Sequence, residues 1–212
     1  MSDLAAGTAA KADHVHEEHR DYEGAKLGMW LFLLTECMLF GGLFVLYAMY
    51  RADYVEAFTN GGKEMDALLG VINTLVLLTG SLTAAMSITA LQRGARRLSA
   101  ALISGTVLSG VVFMCIKAVE WTDHIHHGFY PSSALLKGKL GEQVFFSLYY
   151  VMTGLHGLHV IVGIIVLSVI GVMVCRGKVT REHFVALENG ALYWHLVDII
   201  WIFLLPLFYL AA

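Results

Sequence analysis

The chain alternates between long apolar stretches and short polar segments. Five stretches, of 24, 26, 19, 33 and 24 residues, together contain only two charged side chains, Glu36 and Asp198. A helix needs roughly 20 apolar residues to cross the hydrocarbon core of a bilayer. The pattern therefore predicts an all-α protein, an integral membrane bundle of five transmembrane helices. The predicted spans are about 27–50, 67–92, 98–118, 143–175 and 189–211.

The composition excludes several classes of protein. Of the 212 residues, 58% are apolar and 15% are charged, whereas soluble domains have about 45–50% apolar and about 25% charged residues. The soluble, disordered and secreted disulfide-rich classes are thereby set aside. A net charge of −3 gives no basic surface for nucleic acid. The three cysteines, an odd number within apolar stretches, are expected to be small packing residues.

The distribution of lysine and arginine predicts the orientation. Residues 1–26 form a polar N-terminal tail without the apolar core of a signal peptide, and residues 27–212 form the transmembrane domain. Nine Lys and Arg residues lie on the N-terminal side of the membrane and four on the other side. Because positive charge concentrates on the cytoplasmic side, we expect an N-in, C-out protein with a cytoplasmic N-terminus.

The segments between the spans are predicted to be loops. The first, about 51–66, contains Asn60-Gly61-Gly62 and is expected to be flexible. Aromatic residues near the span ends are expected to form the interfacial belt. They are Trp30, Tyr47, Tyr50, Trp121 and Tyr209.

Ionisable groups at bilayer depth are the most informative positions, because each is costly unless it is paired or neutral. Glu36 lies near the middle of the first span, and Glu188 stands at the start of the last. Residues three apart share a helix face. Three such pairs occur, namely Lys117 with Glu120, His156 with His159, and His195 with Asp198.

Several functions compete for these residues. A metal site would use His156, His159, His195 and Glu36, but the chain lacks the paired Glu-x-x-His motifs of di-iron carboxylate proteins. A proton path would use Glu36, Asp198 and the histidines. No nucleophile or zinc-protease motif occurs. The favoured interpretation is a buried hydrogen-bonded network that fixes helix register and docks a partner, with Glu36 neutral or hydrogen-bonded by a span-four histidine.

Two histidine clusters lie outside the spans. Predicted topology places them on opposite sides of the membrane, so they cannot share one metal, and we expect both to be solvated surface. They are His14, His16 and His19, and His124, His126 and His127.

Four segments together resemble the third subunit of the haem–copper terminal oxidases. They are GMWLFLLTECMLFGGLF (28–44), GVVFMCIKAVEW (110–121), TGLHGLHVIVG (153–163) and ENGALYWHLVDIIWIFLLPLFY (188–209). The resemblance extends from about residue 27 to the C-terminus. It implies a non-catalytic membrane subunit of a proton-pumping complex that reduces dioxygen to water.

The resemblance also implies partners and residue roles. The family's third subunit holds no haem, copper or other metal and no catalytic residue. It packs beside subunit I in a complex that also contains subunit II, binds phospholipid in a cleft, supports proton uptake and can join larger respiratory assemblies. Glu36 matches the family's lipid-cleft carboxylate. Further matches to intramembrane polar positions are His156 with His159, Lys117 with Glu120, and Glu188, Trp194, His195 and Asp198.

The chain departs from the seven-span form of the family, since the match begins at the third span. The two absent helices form one wall of the lipid cleft, so another subunit would have to supply it. Five-span members are a bacterial form, which implies a bacterial inner membrane. The expected function is support of a cytochrome c oxidase, with a quinol oxidase subunit III or a nitric oxide reductase accessory protein as alternatives. A self-standing transporter would need broken helices, and Pro206 is the only proline in any predicted span.

Overall fold

The computed structural model describes the backbone of residues 2–131, 133 and 135–210, and the side chains of residues 23–131, 133 and 135–210. Within these residues the regular structure is helical, and no strand occurs. The helices are α1 (Ser2–Asp53), α2 (Val55–Lys63), α3 (Ala67–Gln92), α4 (Arg96–His126), α5 (Leu140–Arg176) and α6 (Val185–Leu205), and a π-helical turn (Pro206–Leu210) follows α6.

The all-α membrane class is confirmed. Among the described residues, five helical segments are long and apolar enough to cross a membrane. They are Glu23–Asp53, Ala67–Gln92, Arg96–His126, Leu140–Arg176 and Val185–Leu210. The 37 residues of α5 rise about 55 Å, against a hydrocarbon core of about 30 Å. Helix α5 therefore extends beyond the bilayer. Helix α1 begins at Ser2, so the backbone of the expected polar tail is helical.

Helices α3 to α6 enclose the core. Helix α3 packs on α4, α4 on α5, α5 on α6, and α6 returns to α3. Trp194 of α6 is fully buried at the centre of this arrangement. Its indole lies against Gly80, Gly110 and Gly163 of the three other helices, and a Cβ at Gly110 would stand 2.6 Å from Trp194 Cη2. Small residues thus let the helices close around one large ring.

Helix α1 lies outside this core and packs on α5 and α6. Its buried side chains, Leu33, Phe40 and Tyr47, are spaced seven residues apart and therefore line a narrow seam on one face of the helix. Other apolar side chains of α1 are exposed, Met38 by 71% and Val45 by 62%. Most of the α1 surface therefore faces away from the bundle.

The first connecting segment is helical, and the expectation of a flexible Gly-rich loop is wrong. Helix α2 packs on α5 and buries Gly61 and Gly62. A Cβ at Gly61 would lie 2.4 Å from the Phe145 ring, and one at Gly141 would lie 2.6 Å from Ala57 Cβ. These glycines allow two helices to approach closely rather than giving the chain freedom to turn.

The end of α6 also differs from expectation. Pro206 has no N–H to donate to the preceding turn, and the helix continues from Pro206 as a π-helical turn. Tyr47 donates a hydrogen bond to the Leu207 carbonyl, and both Tyr47 and Tyr209 are buried. Their assignment to the interfacial aromatic belt is therefore wrong, because hydroxyl partners inside the protein draw them inward.

The cysteines are not packing residues. Cys37, Cys115 and Cys175 are free thiols on exposed positions of the helices. A small, weakly polar side chain is tolerated on a lipid-facing or partner-facing surface as well as in a core, and the apolar surroundings in the sequence do not distinguish the two.

Candidate functional site

The intramembrane polar residues fall into separate groups rather than one site. The most buried group, here called the Lys117 cluster, consists of Lys117 and Glu120 of α4, Tyr149 of α5 and Tyr209 of the π-helical turn. Lys117 and Glu120 are only 5% and 3% exposed. The cluster thus joins three elements at the end of the bundle where α4 and α6 finish and α5 begins.

Hydrogen bonds connect all four side chains of the Lys117 cluster. Lys117 Nζ lies 3.0 Å from Glu120 Oε1, 3.1 Å from Tyr149 Oη and 2.7 Å from Tyr209 Oη. Tyr149 donates to Glu120 Oε1 at 2.5 Å, and Tyr209 donates to the same oxygen. Because the ammonium has three donors and each finds an oxygen, Lys117 is fully satisfied.

Aromatic rings complete the surroundings of the ammonium group. Lys117 Nζ lies 5.0 Å from the Tyr149 ring centroid, 5.3 Å from that of Trp201 and 5.4 Å from that of Tyr209. These distances are within the range of cation–π attraction. A buried charge pair is costly unless its geometry and hydrogen bonds are good. Lys117 and Glu120 Oε1 meet both conditions, whereas Glu120 Oε2 is buried without a hydrogen-bond partner among the described residues.

The sequence predicted the Lys117–Glu120 pair but missed the two tyrosines. Tyr149 is 32 residues from Lys117 along the chain, and Tyr209 is 92 residues away. No local spacing connects them. The available signal was the buried ion pair itself, whose remaining donors require oxygen partners from neighbouring helices.

Glu36 and His159, here called the Glu36 pair, join α1 to α5. His159 Nε2 lies 2.8 Å from Glu36 Oε2, and both side chains are about nine-tenths buried, with 13% and 14% exposure. His159 Nδ1 lies 2.8 Å from the Leu155 carbonyl oxygen. The expected hydrogen bond between Glu36 and a histidine of span four is thus present in the structure.

The geometry of the Glu36 pair determines its proton count. A carbonyl oxygen only accepts, so His159 Nδ1 carries a hydrogen that it donates to Leu155. One further proton then lies between His159 Nε2 and Glu36 Oε2, on either the imidazole or the carboxyl group. In both arrangements the pair has no net charge, which makes it compatible with bilayer depth.

His195 and Asp198 form a third group with Ser81 of α3. His195 Nδ1 lies 3.2 Å from Ser81 Oγ, and Asp198 lies beside the same hydroxyl and the same imidazole. Asp198 is buried. The spacing of three residues thus places both α6 side chains toward one α3 residue, which links two helices of the core.

His156 is separated from His159 although the two share a helix. It is fully buried between the rings of Phe113 and Trp201, whose centroids lie 5.5 Å and 5.2 Å from its own. Neither ring nitrogen has a hydrogen-bond partner among the described residues. His156 therefore packs as an aromatic ring in the core.

Glu188 marks the opposite end of the bundle. Its carboxylate lies 3.1 Å from Lys26 Nζ of α1, and the neighbouring Asn189 amide lies 3.5 Å from the Ala25 carbonyl oxygen. This contact, the Glu36 pair and the Tyr47–Leu207 bond attach α1 to the core at three heights.

The structure divides the residues of the metal and proton-path alternatives among separate places in the bundle. Glu36 faces His159, while His195 faces Ser81 and His156 lies between aromatic rings. Within the part of the chain that the structure describes, no group of three or more His, Cys, Asp and Glu side chains could hold a metal.

The two histidine clusters have different outcomes. His126 and His127 are exposed, as expected, but His124 is buried and its ring packs 5.7 Å from that of Tyr149. Its assignment to the solvated surface is therefore wrong, because it follows Glu120 by one helical turn. The side chains of His14, His16 and His19 lie outside the described residues.

Comparison with known proteins identifies the family to which the chain belongs. The sequence model described as cytochrome c oxidase subunit III matches residues 2–212. The chain belongs to the cytochrome c oxidase subunit III family. This confirms the resemblance seen in the four segments.

Individual relatives of this family carry three kinds of name. A cytochrome c oxidase subunit 3 from Thermostichus vulcanus is 33% identical over 205 residues, which cover 96% of this chain and 94% of that protein. A cytochrome bo(3) ubiquinol oxidase subunit 3 from Pseudomonas aeruginosa is 27% identical over 203 residues, 95% of this chain and 92% of that protein. A heme-copper oxidase subunit I+III from Aeropyrum pernix is 28% identical over 201 residues, 91% of this chain and 24% of that protein.

Proposed function

We propose that this chain is the non-catalytic third subunit of a proton-pumping haem–copper terminal oxidase, most specifically of a cytochrome c oxidase. It supports the catalytic subunit I, and the haem and copper centres belong to its partner subunits I and II. The observation that carries the proposal is the family match over residues 2–212.

The fused relative supports the choice of partner. In the Aeropyrum pernix protein named subunit I+III, the similar region makes up 24% of one polypeptide. A fusion of this kind requires the two parts to lie in the same complex. We therefore place this chain beside subunit I, with part of the exposed apolar surface of the bundle covered by it.

The proposed membrane placement is a bacterial inner membrane with the N-terminus in the cytoplasm. The excess of Lys and Arg on the N-terminal side supports this orientation. We further propose that the outer face of α1, beside Glu36, lines a phospholipid cleft whose opposite wall comes from another subunit. The exposure of Met38 and Val45 on α1 supports a lipid or protein neighbour there.

The chemical role of the polar groups in this proposal is structural. The Lys117 cluster, the Glu36 pair and the group of Ser81 with His195 and Asp198 each join residues of different helices. They hold the bundle in one register, so that subunit I docks on a fixed surface and proton uptake into it is sustained.

Affinity purification of the tagged chain from its native membrane tests the proposal. We expect co-purification of subunits I and II with a haem absorption spectrum and dioxygen consumption. A lone oligomer with transport activity and no haem-containing partner would contradict it, as would stoichiometric metal bound to the isolated chain.

A quinol oxidase is the second candidate, because the Pseudomonas aeruginosa relative is named as a ubiquinol oxidase subunit. The same purified complex distinguishes the two. Oxygen consumption driven by reduced cytochrome c and not by a quinol supports the cytochrome c type, and the reverse result assigns the quinol type.

A further inference from the structure

A groove of about 890 Å³ opens between the first turn of α4 and the last turn of α5. Arg96 and Arg97 line its rim, and Leu98, Ala100 and Cys175 line its wall. The rim is thus cationic, whereas the wall is apolar and lies at the start of the membrane-spanning segment of α4.

Arg96 has a fixed structural role in this groove. Its Nε donates to the Val174 carbonyl at 2.5 Å, and its Nη2 donates to the Cys175 carbonyl. Both carbonyls lie in the last turn of α5, where carbonyls lack partners within the helix, and the Val174 carbonyl also accepts from the Gly177 N–H. Arg96 therefore joins the two helices and keeps the groove at a fixed width.

Arg97 is available for a ligand. Its side chain is exposed, and none of the ion pairs among the described residues includes it. A guanidinium at the edge of an apolar groove suits a phosphate, whose oxygens it can bind through two parallel hydrogen bonds.

The charge around the groove favours an anion strongly. Residues 92–98 and 176–184, which form the two loops and the adjoining helix ends, contain six Lys and Arg residues and one carboxylate, Glu182. That carboxylate lies 3.9 Å from Arg181. The wall of Leu98, Ala100 and Cys175 gives a free anion nothing to contact, but it suits an acyl chain.

We propose that this groove is a binding site for one anionic phospholipid. The phosphate lies on Arg97 at the membrane surface, and an acyl chain follows Leu98 and Ala100 past Cys175. Basic pockets between transmembrane helices bind anionic lipid headgroups because they offer positive charge to the phosphate beside an apolar surface for the acyl chain. The site is distinct from the proposed cleft on α1, since it is built from α4 and α5.

The three free cysteines supply the test. Cys175 lines the groove. Cys37 of α1 and Cys115 of α4 are exposed thiols that do not line it, and they serve as internal controls. The whole purified complex is placed in nanodiscs of phosphatidylcholine, with or without phosphatidylglycerol, and alkylation by N-ethylmaleimide is followed for each cysteine by mass spectrometry.

We expect phosphatidylglycerol to slow alkylation of Cys175 by about fivefold, the preference that one arginine gives for an anionic lipid. Cys37 and Cys115 should not change. Arg97→Gln should abolish the slowing, whereas Arg181→Gln, at an exposed arginine of the other loop, should retain it.

Three outcomes would overturn the site. The first is equal alkylation of Cys175 in both lipid mixtures. The second is slowing by inorganic phosphate alone, which would mean a free-anion site. The third is protection of Cys175 in phosphatidylcholine as well, which would mean that another subunit fills the groove. None of these outcomes bears on whether the chain co-purifies with oxidase subunits.

Discussion

At the scale of single residues, two charged side chains at bilayer depth, Glu36 and Lys117, have specific partners that lower the cost of burying them. Glu36 meets His159 at 2.8 Å, and Lys117 meets Glu120 and two tyrosine hydroxyls. Neither pair carries a net charge, but the first shares one proton in a single hydrogen bond, whereas the second relies on further hydrogen bonds and aromatic faces. The two therefore differ in their response to substitution.

Glu36→Gln should preserve the subunit. A glutamine amide can still donate to His159 Nε2, so assembly and initial turnover of the complex should be close to wild type. Glu36→Leu leaves that nitrogen unpaired and should cost about 1–3 kcal/mol. The measurement is the temperature at which the subunit dissociates from the purified complex. Loss of the whole complex from the membrane in Glu36→Gln would contradict a replaceable hydrogen bond.

Lys117→Met should be far more damaging, because it leaves the Glu120 carboxylate buried without its cation, at a cost of about 3–5 kcal/mol. Adding Glu120→Gln removes the unpaired charge and should recover much of that loss. Lys139 provides the matched control, since it pairs with Glu142 at the same spacing but is 57% exposed.

The control substitution Lys139→Met should cost no more than about 1 kcal/mol. Thermal denaturation of the four purified complexes, wild type and the three variants, gives the comparison. Similar melting temperatures for Lys117→Met and Lys139→Met would show that the Lys117 cluster contributes no more than a surface ion pair.

At the scale of helices, the apolar pattern predicted the membrane-spanning segments well and the contacts between helices poorly. The span predicted at 67–92 coincides with α3 (Ala67–Gln92), because length and hydropathy alone determine which segments enter the bilayer. Helix α2 was missed, since its glycines are explained only by the ring of Phe145 on another helix. Likewise, Tyr209 reaches Lys117 through a π-helical turn that no spacing in the sequence announces.

The packing of helices around Trp194 leads to a prediction at this scale. Gly110→Ala places a Cβ 2.6 Å from Trp194 Cη2 and 2.9 Å from Ile164 Cγ1, so a buried ring must move, at about 1–3 kcal/mol. Gly105, on the same helix, is the control, because its Cβ would meet nothing nearer than Thr83 Cγ2 at 3.9 Å.

Only Gly110→Ala of these two variants should lower the thermal stability. Gly105→Ala should be neutral or stabilising by up to about 1 kcal/mol, since alanine loses less backbone entropy in a helix. Gly110→Ala should melt at a lower temperature than wild type. Because its Trp194 indole is already displaced in the folded state, its tryptophan emission should change less on unfolding than that of wild type. Equal stability of both variants would show that the bundle adjusts around Trp194 without cost.

At the scale of the whole molecule, charge supplies the orientation that helix packing leaves open. The short loops between α3 and α4 and between α5 and α6 lie at one end of the bundle, where Arg96 links their helices. Together with the adjoining helix ends, these loops carry six of the Lys and Arg residues, so this end should face the cytoplasm. The long segment between α4 and α5 should then face outward.

Two exposed lysines allow a matched test of this orientation. Lys137 lies between α4 and α5, and Lys178 lies between α5 and α6. Each is replaced by cysteine in a Cys175→Ser background and treated with a membrane-impermeant maleimide. We expect Lys137→Cys to react in intact spheroplasts and Lys178→Cys to react only after lysis. The reverse pattern would mean an N-out chain and would move the Arg97 groove to the outer leaflet, where its proposed lipid would have to be found.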